Sequence, residues 1–89
     1  MANLYLVDKL AGPNALELAK ADKGAKVVLI QDGVYLDAKA VSDAGGTVFA
    51  VKRDLELRGL ADKVPANVKA IDYGELVDLI VENKVINFA

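Results

Sequence analysis

Short apolar runs recur along this chain and constrain its fold more than any other feature. Four of them are each followed closely by an aspartate, and a fifth run comes near the end of the chain. Continuous runs of valine, leucine and isoleucine are typical of strands that are covered on both faces of a sheet. We predict strands at residues 2–7, 26–30, 47–51 and 68–71, with a further edge strand at 84–88.

Turn-forming residues divide these runs from segments with helical spacing. Gly12-Pro13-Asn14 precedes the first helical segment, Gly45-Gly46 closes the second, and Gly59 ends the third. Asp72 stands three residues before Glu75, which is a capping-box arrangement at the start of a fourth. We predict helices at residues 15–21, 37–44, 54–58 and 75–83.

Strands that alternate with helices imply right-handed crossovers and a mainly parallel sheet. The fold class predicted is therefore α/β, with four or five strands and with helices on both faces of the sheet. The topology is expected to be Rossmann-like or flavodoxin-like. Residues 1–89 are expected to form a single domain, because neither an internal repeat nor a linker divides them.

Composition excludes several kinds of partner. The net charge is −2 and the basic residues are scattered, so we expect no direct nucleic-acid binding. No apolar run is long enough to span a membrane and no signal-peptide pattern opens the chain, so we expect a cytoplasmic protein that makes no membrane contact. Hydrophobic residues make up 54% of a chain of 89 residues, and this surplus of apolar surface suggests oligomerisation.

The aspartates after the four strands, Asp8, Asp32, Asp54 and Asp72, are expected to gather along the carboxyl edge of the sheet. Ligands often bind at that edge, so a Mg²⁺ site or an acid–base pair is one interpretation. Helix capping and turn formation are the favoured interpretation, because each connection from strand to helix needs such a residue. At Asp32-Gly33 we expect a turn in which the glycine adopts positive φ.

The residues that the chain lacks restrict its chemistry further. It contains neither histidine nor cysteine, and its aliphatic hydroxyls are Ser42 and Thr47. Triad hydrolysis, a thiolate nucleophile and histidine-ligated metals are therefore excluded. No glycine-rich phosphate loop occurs. We expect no catalytic residue, no cofactor and no metal, and hence a protein that is not an enzyme.

The fourth predicted helix has more apolar surface than one packing face requires. Leu76, Leu79 and Ile80 form a stripe that we expect to face the sheet, while Val77 and Val81 widen the apolar arc. We expect this second stripe to face a neighbouring subunit together with the tail that contains Val85, Ile86 and Phe88. Packing of both stripes into the core is the alternative.

Three segments together resemble a known family. They are LIQDGVY at 29–35, VFAVKRDLELRGL at 48–60 and IDYGELVDLIVENKVINF at 71–88, and LYLVDK at 4–9 extends the match over nearly the whole chain. In order and spacing they resemble the DsrH/TusB family of sulfur-relay proteins. This resemblance implies a Rossmann-like fold and membership of a cytoplasmic complex that passes sulfur along as a cysteine persulfide.

The resemblance also implies partners. TusB-like proteins work with TusC-like and TusD-like relatives towards 2-thiouridine at the tRNA wobble position, whereas DsrH-like proteins work with DsrE-like and DsrF-like relatives in sulfur oxidation. Some members carry a cysteine on the first helix, but residues 13–24 of this chain contain none. A persulfide needs a sulfur atom to which it can be attached, so the expected role is that of a non-catalytic subunit.

Two regions are candidate partner interfaces. One is the segment Gln31, Asp32, Gly33, Val34 and Tyr35, with Arg58 nearby in the predicted topology, where Tyr35 is a candidate anchor. An internal turn is the alternative for this segment, and Arg58 could instead pair with Asp54 on its own helix. The other region comprises Val77, Val81, Ile86 and Phe88.

Another class of function stays open beside the relay subunit. A homo-oligomer that binds a small ligand or an anion is compatible with the same fold, because a fold alone does not determine a function. An enzyme that uses the carboxylates of the strand ends is the least favoured interpretation.

Overall fold

The computed structural model describes residues 3–10, 12–36 and 38–88. A five-stranded sheet with the order β4-β3-β2-β1-β5 forms its centre, and each pair of neighbouring strands is parallel. The predicted α/β fold class is therefore confirmed. Ala2, the first residue of the first predicted strand, lies outside the described residues. The strands are β1 Asn3–Val7, β2 Lys26–Leu29, β3 Thr47–Val51, β4 Val68–Ile71 and β5 Lys84–Phe88.

Helices connect successive strands as predicted, and two short 3₁₀ segments lie between them. Asp37, which opens the second predicted helix, lies outside the described residues. The α-helices are α1 Gly12–Ala21, α2 Lys39–Asp43, α3 Lys52–Leu57 and α4 Tyr73–Glu82, and the 3₁₀ segments are η1 Gln31–Tyr35 and η2 Ala61–Lys63.

Three helices begin two or three residues earlier than the sequence predicted, and α4 is one of them, because it begins at Tyr73 and not at Glu75. Gly12-Pro13-Asn14 was expected to interrupt the chain, but it forms the first turn of α1. Proline suits a helix start, because the first amide groups of a helix have no intrahelical acceptor and the ring fixes a helical φ. Helix α3 begins at Lys52, directly after β3, so Asp54 lies in its first turn and does not precede it.

The predicted helix ends at Gly45 and Gly59 are confirmed. Gly59 has a φ of +67°, its N–H donates to Glu56 O at 3.2 Å, and the N–H of Leu60 donates to Leu55 O at 2.8 Å. This pair of bonds is the Schellman motif, in which a left-handed residue turns the chain out of the helix. Gly45, with a φ of +96°, ends α2 by the same pair of bonds.

Helices α1, α2 and α3 cover one face of the sheet. Strand side chains that include Val7, Leu29 and Ala50 pack there against Ala15 and Ala19 of α1 and against residues of α2 and α3. Three short helices fit on this face because β1 to β4 follow one another across the sheet in one direction, so that each right-handed crossover returns on the same side.

The opposite face is covered by α4. Here Leu4, Val28, Phe49 and other strand residues form a second core cluster, against which Leu76 and Leu79 of α4 pack. The connection from β4 to β5 joins the two edges of the sheet, so it passes behind all the strands between them. The sheet is about 19 Å wide and one helix with its side chains is about 10–12 Å across, which leaves this face less completely covered than the other.

The strand order distinguishes between the two expected topologies. The order contains the 3-2-1 sequence of a Rossmann half and differs from the flavodoxin order 2-1-3-4-5. In the part of the chain that the structure describes, no helix is both long and apolar enough to cross a membrane.

A hydrogen-bonded cluster fixes the start of β1 to the end of α1. The buried ring of Tyr5 places its hydroxyl 3.0 Å from Asp22 Oδ2, to which it donates, and Asn3 Nδ2 donates to the same oxygen at 2.8 Å. Burial raises the pKa of Tyr5 above its ordinary value of 10.0, and the hydrogen bond to Asp22 and the charge of Asp22 raise it further. The folded chain therefore holds the phenolic proton more tightly than the unfolded chain does.

This difference predicts a specific dependence of stability on pH. The stabilising contribution of Tyr5 is fully present below its unfolded pKa of about 10 and is lost as the pH rises through the higher folded pKa. At pH 7 we expect Tyr5→Phe to lower the free energy of unfolding by about 1 kcal/mol. We expect this gap between the free energies of unfolding of wild type and variant to narrow above pH 10.

Urea unfolding of the wild type and of Tyr5→Phe between pH 7 and pH 11 measures the difference in their free energies of unfolding. Tyr73→Phe, the same change on a half-exposed ring, is the control and keeps the wild-type profile. A gap between wild type and Tyr5→Phe that stays constant across this range would contradict the assignment.

Candidate functional site

The first candidate surface is built around η1 at the carboxyl edge of the sheet. The N–H of Ile30 donates to Val7 O at 3.0 Å, and the chain then turns sharply at Gln31, whose φ is +50°. The sequence placed the positive φ at Gly33, and this expectation is wrong. Gly33 is needed for a different reason: a Cβ atom at this position would collide with the carbonyl oxygen of Val7. The segment η1 therefore lies directly against the end of β1.

Asp54 holds the strained residue of this turn. Its Oδ2 accepts a hydrogen bond of 2.8 Å from the backbone N–H of Gln31, and its side chain is 13% exposed. A left-handed conformation is costly for a residue that has a Cβ atom. The bond to a carboxylate offsets part of this cost and connects α3 to η1.

Arg58 completes the link between α3 and η1. Its Nε donates to Asp32 Oδ1 at 2.9 Å, and its Nη1 donates to the carbonyl oxygen of Asp54 at 3.3 Å. The pair within the helix, Nη1 to Asp54 Oδ1, is longer, at 3.5 Å. The hydrogen bond to Asp32 raises the pKa of Arg58, so the guanidinium stays charged. Arg58 thus contacts its own chain. Its main partner is Asp32, whereas the sequence suggested Asp54.

The remaining two aspartates of the edge also make local contacts. Asp72 caps α4, since its Oδ1 accepts from the N–H of Glu75 at 2.8 Å, and this confirms the predicted cap. Asp8 Oδ1 accepts from the neighbouring N–H of Lys9 at 2.6 Å. Within residues 3–10, 12–36 and 38–88, no group of three or more acidic side chains could hold a metal ion. These contacts agree with the capping and turn roles that the sequence favoured.

The structure divides the η1 candidates into buried and exposed residues. Gly33 and Val34 are buried, whereas Gln31, Asp32 and Tyr35 are exposed. Leu10, which the sequence analysis did not single out, is 98% exposed and lines a shallow cavity together with Asp32. We call Leu10, Gln31, Asp32 and Tyr35 the edge surface. Its interaction with a partner remains a prediction.

The second candidate surface lies on α4. Leu76 and Leu79 pack on the sheet as expected, but Ile80, which was predicted to pack with them, is 38% exposed. Val81 is 76% exposed, and α4 contains no buried residue. We call the exposed apolar residues of this helix the α4 surface, and they are Tyr73, Val77, Ile80 and Val81.

The other two candidates lie against the core. Ile86 and Phe88 of β5 are half-buried and pack on the side of α1 to α3, away from α4. Phe88 stacks on Tyr5, with ring centroids 6.2 Å apart and an interplanar angle of 15°. The tail therefore contributes to the fold, and Val85, which is partly exposed, is its apolar residue on the α4 side.

A solved structure with the same fold identifies the structural class of this chain. The crystal structure of the YchN protein from E. coli superposes with a TM-score of 0.83 and covers 99% of each chain, at 17% sequence identity. At this identity the likeness shows a shared fold of parallel strands and connecting helices.

Sequence comparison then gives the family. The model of the DsrH like protein family matches residues 14–86. Protein TusB from Photorhabdus laumondii is 36% identical over 67 residues, which cover 68% of this chain and 70% of the relative. Protein TusB from Salmonella arizonae is 36% identical over 76 residues, which cover 79% and 78%. The chain belongs to the DsrH/TusB family of sulfur-relay proteins, as its motifs indicated.

The contacts of Asp54 predict that its side chain contributes more to the free energy of unfolding than the side chain of Asp32, which is more exposed. We expect Asp54→Ala to lower the free energy of unfolding by about 1–3 kcal/mol, because the amide of Gln31 and the guanidinium both lose an acceptor. Asp32→Ala removes a contact of a carboxylate that is 60% exposed, so we expect at most about 1 kcal/mol.

Urea unfolding measures both changes, and hydrogen exchange at the Gln31 amide reports on the turn itself. Exchange at Gln31 is expected to accelerate in Asp54→Ala and to change little in Asp32→Ala. Equal effects of the two substitutions would show that Asp54 does not hold the turn.

Proposed function

We propose that this chain is a non-catalytic subunit of a sulfur-transfer complex, in which it positions a cysteine-bearing partner of the DsrE/TusD-like or DsrF/TusC-like kind. The observation that carries the proposal is the combination of family membership with a sequence of 89 residues that contains no cysteine. In this proposal the partner's cysteine carries the sulfur, and this chain provides a binding surface that positions the partner.

The chemistry of persulfides supports this division of roles. A persulfide forms when a thiolate takes up a sulfane sulfur atom, so its carrier must have a thiol. The sulfur in this chain is the thioether of a single methionine, which has no ionisable proton and forms no persulfide. The residues at the carboxyl edge that could act as acids or bases are engaged in structural contacts.

The relatives favour one of the two pathways. Those with 36% identity are named TusB, so we assign the chain to 2-thiouridine synthesis at the tRNA wobble position, which is the pathway that the resemblance to TusB-like proteins implies. The proposed complex is therefore a cytoplasmic one, since tRNA is modified there. Sulfur oxidation, the role of the DsrH-like branch, is the competing assignment.

The α4 surface is the proposed partner contact. Its four apolar side chains lie along one side of the helix, and such exposed patches mark sites of protein interaction. The charged residues of α4 are all acidic: Glu75, Asp78 and Glu82. A second copy of the chain would bring the same acids to the interface, so charge complementarity favours a partner with basic residues around an apolar groove.

Native mass spectrometry after co-expression with the cysteine-bearing relatives tests the proposal. We expect a defined hetero-oligomer for the wild-type chain. Val81→Lys puts a charge in the middle of the α4 surface, and because Val81 is exposed the fold is expected to survive. We expect this variant to lose at least about tenfold in affinity for the partner, which corresponds to about 1.4 kcal/mol.

A matched substitution separates the α4 surface from a general effect of added charge. Leu18→Lys places the same charge on a leucine that is 54% exposed, on α1 and thus on the opposite face of the sheet, and its complex is expected to form normally. A stable homo-oligomer that ignores the relatives would contradict the proposal and favour an independent binding protein.

A further inference from the structure

A second kind of site lies on the face of the sheet away from α4. A cavity of about 390 Å³ opens there between η1, α2, α3 and η2 and the strands beneath them. Its floor includes Leu29, Ala50 and Leu55, which are buried core residues. The size is within the range of about 300–1,000 Å³ in which small-molecule sites fall.

The cavity exists because the elements that cover this part of the sheet are short. Helix α2 has five residues, α3 has six and η2 has three. Since a helix rises about 1.5 Å per residue, none of these elements extends across the whole length of the strands. The space between them is lined mainly by apolar side chains, among them Val34, Leu36, Leu60 and Val64.

The polar groups around the cavity have one sign of charge. Lys39 and Lys63 are its charged lining residues, joined by Tyr35 and Asn67, and among the described residues no aspartate or glutamate lines it. Lys39 also forms an exposed ion pair of 3.3 Å with Asp43. An apolar cavity that is lined by the exposed ammonium group of Lys63 is complementary to a ligand that has a hydrophobic body and an anionic head.

From these observations we propose that the cavity binds a small amphipathic anion, namely a carboxylate or sulfonate on an aliphatic or aromatic body. The body lies over Ala50 and Leu55, and the head lies near Lys63. This inference goes beyond the proposed relay function and does not depend on it. It assigns a ligand class to a site on the face opposite the α4 surface.

Titration of the isotope-labelled full chain with three matched probes, followed by NMR, tests the inference. The probes are octanoate, octan-1-ol and octylammonium, which share one aliphatic chain and differ in the charge of the head. We expect octanoate to give saturable shifts at the amides of Val34, Leu60 and Val68. Octan-1-ol is expected to bind about threefold to tenfold more weakly, as the loss of exposed charge contacts implies, and octylammonium more weakly still.

Substitutions locate the binding within the cavity. Lys63→Glu changes an exposed residue and is expected to weaken octanoate about threefold to tenfold while it improves octylammonium. Val64→Phe adds volume at the wall and is expected to weaken all three probes. Lys84→Glu, the same charge change on β5 at the far side of the sheet, is the control and leaves the affinities unchanged.

Three results would overturn the inference. They are the absence of saturable shifts with octanoate, equal affinity for the three probes, and shifts confined to the α4 surface or to Leu10, Gln31 and Asp32 of the edge surface. Lys63→Glu still tests the role of charge if Val64→Phe fails to fold, because the spectrum of each variant reports its fold directly.

Discussion

The passage of α4 behind the sheet is the constraint on which the rest of the structure depends. Strands β4 and β5 occupy opposite edges, so the last crossover has to pass every strand between them. This leaves α1, α2 and α3 on one face and puts α4 on the other. One helix of ten residues cannot cover that face completely, and its own outer side stays apolar and exposed. The α4 surface is thus a consequence of the strand order.

The carboxyl edge shows how a position that is common for ligand sites can instead serve the fold. Gly33 brings η1 against β1, Asp54 holds the amide of Gln31, and Arg58 joins Asp32 to α3. Each of the four aspartates at this edge accepts a hydrogen bond from the chain itself. The proposed role, in which the chain contributes surfaces to a relay, assigns no chemistry to these aspartates.

Features that depend on local sequence could be predicted from the residues. The strands, the Asp72 cap and the glycine ends at Gly45 and Gly59 follow from short-range chemistry, and the structure has them. The bond from Gln31 to Asp54 joins residues 23 positions apart, and the sequence does not show that Gln31 carries the positive φ. The strained residue was therefore assigned to the glycine, which usually takes that role.

Tertiary packing also decides which apolar residues remain exposed. Ile86 and Phe88 share a strand with Val85, yet the sequence does not reveal which side of β5 meets the larger core. The exposure of Leu10 and the cavity above Ala50 likewise arise from gaps between short elements, and no local pattern encodes such gaps.

The most direct test of the account is the rate of sulfur transfer from a persulfidated DsrE/TusD-like partner to its acceptor, measured with and without this chain. We predict that transfer is much faster when the chain is present, and that the sulfane sulfur passes directly from the partner's cysteine to the acceptor without becoming attached to this chain. Transfer at the same rate in the absence of the chain would contradict it.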